Sequence, residues 1–323
     1  MQQMNQLRTI NETSSQLVTI NALNADLYFN FISFLDVKEK TADTYRKALK
    51  RLFQYFSENS ISQPTRSDLI AFRDELKAVN KASTVKTYLT ATRLFFRWLE
   101  QEGLYKNIAD KIKGAKVEHG HKKDALTVDQ VKDVIDTFTA DTEASTAKRD
   151  YAIFCLMVTC GLRTIEVVRA DLEDLRTLGS KTVLYVQGKG KDEKSEYVII
   201  TREVEKVIRS YLATRTDATD KAPLFSSTSN NSKGKRLTTR TISGIVKERL
   251  KLAGLNSNRL TAHSLRHTAV TLSLLGGSTL QEARQFARHS NIATTEIYAH
   301  NLERIANPCE GIVSSSIFKN SSL

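Results

Sequence analysis

Thr261-Ala-His263-Ser-Leu-Arg266-His267-Thr268, followed downstream by Ala287-Arg288-His289-Ser-Asn-Ile-Ala-Thr-Thr-Glu-Ile-Tyr298, decides how this chain reads. His263 and Arg266 stand three residues apart, so they share one face of a helix start. A helix N-terminus offers free N–H groups and a partial positive charge, which favours phosphate. Two further clusters precede this pair. Gly161-Leu-Arg163-Thr-Ile-Glu166 closes an apolar helix, and Gly188-Lys-Gly-Lys-Asp-Glu-Lys-Ser195 forms a hydrophilic turn carrying Lys189 and Lys191.

Each cluster also has a plain structural explanation. Arg163 can pair with Glu166 at a helix end. Lys189, Lys191 and Lys194 can be a solvated turn. His289 can be a satisfied histidine, and Tyr298 is one of ten tyrosines, most of which pack. His263 and His267 lie four apart, a zinc-compatible spacing, but no Glu follows His263 and no third ligand is evident.

Around these clusters the second part of the chain alternates helices with a small β-hairpin. A capping box, Thr127-x-x-Gln130, opens it. An apolar helix spans about Arg149–Thr159 and stops at Gly161. Strands are expected at Thr182–Gln187 and Tyr197–Thr201. Helices are expected over 202–213, 239–253, 263–275, 279–288 and 293–300, with residues 301–323 leaving the last one. The segment 226–236 reads as an exposed loop, and it carries Lys235 and Arg236, with Arg240 just beyond.

The first part reads as an all-helical bundle. Tyr45, Leu49, Leu52, Phe53 and Phe56 fall on one helical face. A shorter helix is expected after Ser67 as N-cap. Another runs from about Thr84 to Gln101, with Val85, Tyr88, Leu89, Phe96 and Leu99 on one face and Gly103 where a C-terminal cap would sit. The opposite faces carry Arg46, Lys47, Lys50, Arg51, Lys86, Arg93 and Arg97, either as a solvated surface or as phosphate contacts. These patterns divide the chain into a loose leader at 1–18, a helical domain at 19–112, a basic linker at 113–124, a second domain at 125–304 and a tail at 305–323.

The 323 residues carry a formal charge of +12 and a pI near 9.5, which favours a polyanionic partner, nucleic acid before anionic membrane. No long apolar run predicts a membrane span, and the polar N-terminal stretch lacks the apolar core of a signal peptide. The three cysteines, Cys155, Cys160 and Cys309, form no CxxC pair; Cys155 and Cys160 sit in an apolar run, where buried thiols are expected. Together these features predict a cytoplasmic protein.

The ordered set Arg163, Lys189, His263, Arg266, His289 and Tyr298, with the strings GLRTIE, GKG between strands, HSLRHT and HSNIATTEIYAH, resembles the tyrosine recombinase (phage integrase) family over about residues 20–305. The Xer-like layout is the nearest match. The resemblance implies a mainly α fold with a small β-hairpin or sheet in the C-terminal domain. It also implies a two-domain, C-shaped DNA clamp built from a SAM-like core-binding domain and a catalytic domain. It implies a site-specific recombinase working without metal or other cofactor. Double-stranded DNA sites would be its substrate, and a homotetramer, or a tetramer with a related recombinase, would assemble on paired sites. Arg163 and Arg266 would grip the scissile phosphate, His263 and His289 would hydrogen-bond it or move a proton, and Lys189 would protonate the leaving oxygen, with Lys191 the alternative. Tyr298 would be the nucleophile. Residues Ile305–Phe318 would pack on a neighbouring protomer. One departure stands out: the family usually has Leu-Gly before its last histidine, and this chain has Ala287-Arg288, which adds a charge and removes a glycine tolerant of positive φ. A DNA-binding regulator of the same fold and a type IB topoisomerase remain alternatives at this point.

Overall fold

A computed structural model describes residues 25–116, 124–139, 144–188, 190–216, 219–306 and 309–318. The expected leader at 1–18 and most of the linker lie outside the described residues, as does Lys189. The chain divides into two compact units between His119 and Gly120.

The first unit is helical: α1 Ala25–Phe34, α2 Glu39–Glu58, α3 Arg66–Val79 and α4 Ala82–Gln101. Its core is made largely of rings. Phe95 packs edge-on against Phe31 and Phe53, each with centroids 5.3 Å apart, and lies beside Phe96 and Trp98. In α2 the buried face comprises Leu49, Leu52, Phe53, Tyr55 and Phe56, while Tyr45 is only half-buried. The N-cap of α3 is Thr65 rather than the expected Ser67. Asp68 explains the difference: its carboxylate accepts from the Thr65 N–H at 2.7 Å, and Thr65 Oγ1 accepts from the Asp68 N–H, closing a reciprocal box that Ser67 cannot form. Gly103 follows α4 at φ 68°, the left-handed conformation that a helix end commonly requires.

The second unit contains α5 Val128–Thr139, α6 Ser145–Cys160, α7 Thr164–Arg169, β1 Leu175–Leu178, β2 Lys181–Val186, β3 Glu196–Ile200, α8 Arg202–Leu212, α9 Thr239–Leu252, α10 Ala262–Leu275, α11 Leu280–Ala287, α12 Ala293–Ala306 and α13 Cys309–Phe318. The capping box at Thr127 forms, with Gln130 Oε1 accepting from the Thr127 N–H at 3.0 Å. Helix α6 is the axle, buried from Ala152 through Val158 on every side. It begins at Ser145, four residues before the expected start at Arg149; Arg149 and Asp150 are buried as a mutual pair at 2.7 Å, and Arg149 also donates to the Ser226 carbonyl at 3.0 Å. Cys155 and Cys160 are free, buried thiols.

The sheet is three-stranded and antiparallel, in the order β1-β2-β3, with Leu175 opposite Leu184 and Thr182 opposite Ile200. The sequence showed only the β2–β3 pair. Edge strand β1 leaves three of its four residues exposed, so it lacks the alternation that marks a half-buried strand. The segment 226–236 is mostly exposed, as expected, apart from buried Ser226, which bridges to Arg236. Helix α12 does not end near Tyr298: residues 301–306 continue it.

Candidate active site

Helix α6 ends at Gly161, whose φ of 59° turns the chain sharply. A Cβ there would lie 3.4 Å from Ala269 and Phe286, an ordinary contact, so it is the left-handed backbone conformation that favours glycine here. The turn delivers Arg163 to the start of α7. Glu166, one turn on and fully buried, accepts from the Arg163 N–H at 2.8 Å and from Arg163 Nη1 at 2.7 Å. The ion pair suspected from spacing therefore exists, and it anchors the guanidinium at a defined place.

Helix α10 brings up His263, Arg266 and His267. Thr261 caps it, its N–H donating to Ser264 Oγ at 3.0 Å. His263 is exposed, whereas the Arg266 side chain is only 1% exposed. Arg266 Nη1 donates to the Gly161 carbonyl at 2.6 Å and Nη2 to the Ala287 carbonyl. Burial, then Arg163 and Arg288, push its guanidinium down to about 9, partly opposed by Glu166. That value still leaves it charged at neutral pH.

Helix α11 ends at Arg288 and hands the chain to His289. The His289 ring nitrogen Nδ1 lies 2.9 Å from the hydroxyl of buried Thr295. Burial, followed by Arg266, Arg163, Arg288 and His263, drives the imidazole down to about 4, so it is neutral at pH 7. Tyr298, on α12, is 4% exposed beside Val270 and Ala287. Its ring centroid lies 5.1 Å from that of His267 and 6.3 Å from that of His289. Burial raises the phenol to about 12, against the lowering pull of Arg266 and Arg163. The tyrosine thus lies between an apolar cluster and the His267 and His289 rings, within the field of both arginines of its own chain.

Five of the six residues singled out in sequence converge here: Arg163, His263, Arg266, His289 and Tyr298. The sixth, Lys189, lies outside the described residues. Lys191 pairs with Glu196 at 3.2 Å and borders a cleft of about 520 Å³ that Tyr197, Arg284, Arg288 and His289 also line. Lys194 is held by Asp171 and Asp174 at 2.6 and 2.5 Å, so its charge braces the hairpin. Arg169 fixes the hairpin from the other side, donating to the Gly188 carbonyl at 3.1 Å. Sequence reasoning gave Glu166 only a structural pairing with Arg163, weighed His267 only as a zinc ligand, and gave Thr295 no part in the site. For Glu166 the three-residue spacing from Arg163 was the available signal; for Thr295 none existed. His263 and His267 meet edge to face with centroids 4.8 Å apart, and no metal-binding cluster occurs among the described residues.

The expected DNA-contacting residues fall into two groups. Lys47, Lys50, Lys86, Arg97, Lys235 and Arg240 are exposed. The others already have partners: Arg46 pairs with Glu39 and Asp43, Arg51 with Glu58 and Glu75, Arg93 donates to the Ile112 carbonyl, and Arg236 pairs with Asp171 and donates to the Val168 carbonyl at 2.7 Å.

Fold and site define a class: two fixed guanidiniums, imidazoles and a buried phenol suit phosphoryl transfer to a tyrosine. The Phage integrase family model matches residues 124–304, and the model of the phage integrase N-terminal SAM-like domain matches residues 25–103. Tyrosine recombinase XerA of Pyrococcus horikoshii is 30% identical over 85% of this chain and 89% of its own length. Tyrosine recombinase XerC of Alcanivorax borkumensis is 31% identical over 71% of this chain and 72% of its own. In structure, XerH recombinase bound to its palindromic difH substrate superposes with TM-score 0.69 at 22% identity, over 83% of this chain and 80% of XerH. A lambda integrase tetramer on a Holliday junction gives 0.68 at 16%, over 88% and 78%. The chain belongs to the phage integrase family of tyrosine recombinases, whose members are enzymes acting on DNA. Among the described residues, no helix is long and apolar enough to cross a membrane.

Proposed function

We propose that this chain is a site-specific DNA recombinase in which Tyr298 attacks a backbone phosphate held by Arg163 and Arg266. The observation that carries the reading is the burial of the Tyr298 phenol within the field of those two arginines, in one chain. A phosphodiester gains negative charge as it is attacked, and planar guanidiniums fixed in advance stabilise that charge without reorganising. The phenol is neutral at rest, so its proton must leave as the oxygen attacks. His289 is neutral and can accept it, while exposed His263 is placed to donate to a phosphate oxygen. The Tyr298 oxygen bonds to phosphorus, the bond to the 5′ oxygen breaks, and a lysine of the hairpin, Lys189 or Lys191, protonates the leaving 5′-hydroxyl. A 3′-phosphotyrosyl link remains, and a 5′-hydroxyl from a second site can reverse the step without ATP.

The similarity to recombinases solved on DNA supports duplex DNA as substrate and a tetramer on paired sites as the working assembly. Both units would contact the duplex. Helix α13 supports protomer exchange: Ile312, Val313, Ile317 and Phe318 are all more than half exposed, apolar side chains that a neighbouring copy would cover. Truncation after Ala306 should weaken assembly on paired sites.

The test uses a nicked duplex that the chain itself selects from a randomised pool. The wild type should form a covalent adduct mapping to Tyr298, and Tyr298→Phe should form none while binding the duplex equally. A DNA-binding regulator would form no adduct in either form. A type IB topoisomerase would relax supercoils without pairing two sites.

A further inference from the structure

We propose that Arg288 is a third guanidinium of the phosphate site: a positioning residue that ties Arg163 to Arg266 and doubles the net charge facing the scissile phosphate. The inference rests on the tyrosine recombinase reading and concerns the position where this chain departs from the family's Leu-Gly pattern.

Arg288 adopts φ 53° and ψ 47°, one of three non-glycine residues at positive φ among those described. Glycine would take this conformation without penalty. An arginine kept there needs a compensating interaction, and its side chain supplies several. Only 5% exposed, it turns inward rather than into solvent. Nη1 donates to the Phe286 carbonyl at 2.8 Å. Nη2 reaches Glu166 Oε2 at 3.0 Å and the Gly161 carbonyl at 3.2 Å.

Those last two acceptors are the ones that hold the two phosphate-gripping arginines. Glu166 anchors Arg163, and the Gly161 carbonyl anchors Arg266. One nitrogen of Arg288 therefore bridges both anchors. The backbone repeats the link, since the Arg288 carbonyl accepts from Arg163 at 3.4 Å and the Ala287 carbonyl accepts from Arg266.

Charge follows from the same contacts. With glycine at this position, Arg163 and Arg266 would be offset by Glu166, leaving one net positive charge. Arg288 takes up the second oxygen of Glu166 and leaves two. Its Nε is buried and finds no hydrogen-bond partner among the described residues, and the residue lines the cleft beside His289. A buried guanidinium this close to the two phosphate-gripping arginines adds positive potential at the anion site.

The experiment compares Arg288→Gly, Arg288→Asn and Arg288→Lys on the self-selected nicked duplex, scoring the rate of covalent adduct, duplex affinity and thermal unfolding. Gly and Asn both accept the left-handed conformation but carry no charge; Lys keeps the charge at a conformational cost. If charge and anchoring matter, Gly and Asn slow adduct formation roughly ten- to hundredfold, short of the ~10²–10³ lost with a direct transition-state donor. They stay folded and bind DNA within about threefold of wild type, and Lys recovers most of the rate. If backbone conformation is all that matters, the order inverts: Gly cleaves fastest and Lys slowest, which overturns the proposal. Equal losses in Gly, Asn and Lys, or losses that track unfolding temperature, overturn it as well. A wild type that forms no adduct would instead bring down the recombinase reading, and the Arg288 assignment with it.

Discussion

The two units treat charge in opposite ways. The first buries rings and leaves its charges outside: Phe31, Phe53, Phe95, Phe96 and Trp98 fill the interior, while Arg46 and Arg51 lie on the surface against nearby carboxylates. The second buries charge. Glu166, Arg266, Arg149, Asp150 and Asp174 are all nearly inaccessible. An unpaired buried charge is costly: Glu166 has Arg163 and Arg288 as partners, Arg149 has Asp150, and Asp174 has Lys194, while Arg266 is held by the backbone carbonyls of Gly161 and Ala287. The comparison teaches that the first unit is organised for stability and the second for holding cations in fixed places. A solvated arginine can bind phosphate, but only a fixed one can select a transition state.

Three changes test that contrast. Phe95→Ala should have the largest effect on stability, about 3–5 kcal/mol, by opening a cavity among four neighbouring rings. Its weight should fall on the first unit, with the environment of Tyr298 in the second unchanged; separate unfolding of the two units, followed by ring signals in NMR, checks this.

His289 gives a smaller, pH-dependent effect. Its folded value near 4 lies below the unfolded value near 6.5. Between those limits the unfolded chain binds more protons, so stability is complete above about pH 6.5 and falls as pH drops toward 4, by on the order of 3 kcal/mol. Denaturant titrations at pH 7.5, 5.5 and 4.5 should show this loss in the wild type and a shallower one in His289→Gln. Equal slopes would mean that His289 is not held neutral by its surroundings.

Arg46→Ala should do least. Its pairs with Glu39 and Asp43 lie on the surface of α2, where such contacts contribute about 1 kcal/mol or less. A larger loss would show that the first unit, too, depends on fixed charge.

Much of this was legible from the residues, and the misses share a cause. Leu49, Leu52 and Phe56 announced α2 because helical periodicity is a local signal. Strand β1 gave no such signal, because an edge strand with most of its side chains in solvent need not alternate. Ser67 looked like a cap because serine caps helices; Thr65 took the role because Asp68 stood at the reciprocal position. The length of α12 was hidden because nothing in Asn301–Ala306 stops a helix.

By itself the sequence determined the chemistry available: arginines, histidines and a tyrosine in a fixed order, on elements whose periodicity sets their type. It also placed a glycine, Gly161, at the end of the apolar helix, where a left-handed turn is easiest. Only the tertiary structure decided which of forty-eight basic residues are held in place. Arg288 shares Glu166 with Arg163 and the Gly161 carbonyl with Arg266; both acceptors lie far from Arg288 in sequence, and they meet it only when α6, α7, α10 and α11 pack. Lys194 and Arg236, equally basic in the sequence, were drawn into bracing the hairpin by the same packing. Charge is a property of the residue, whereas its fixed position depends on every group packed around it.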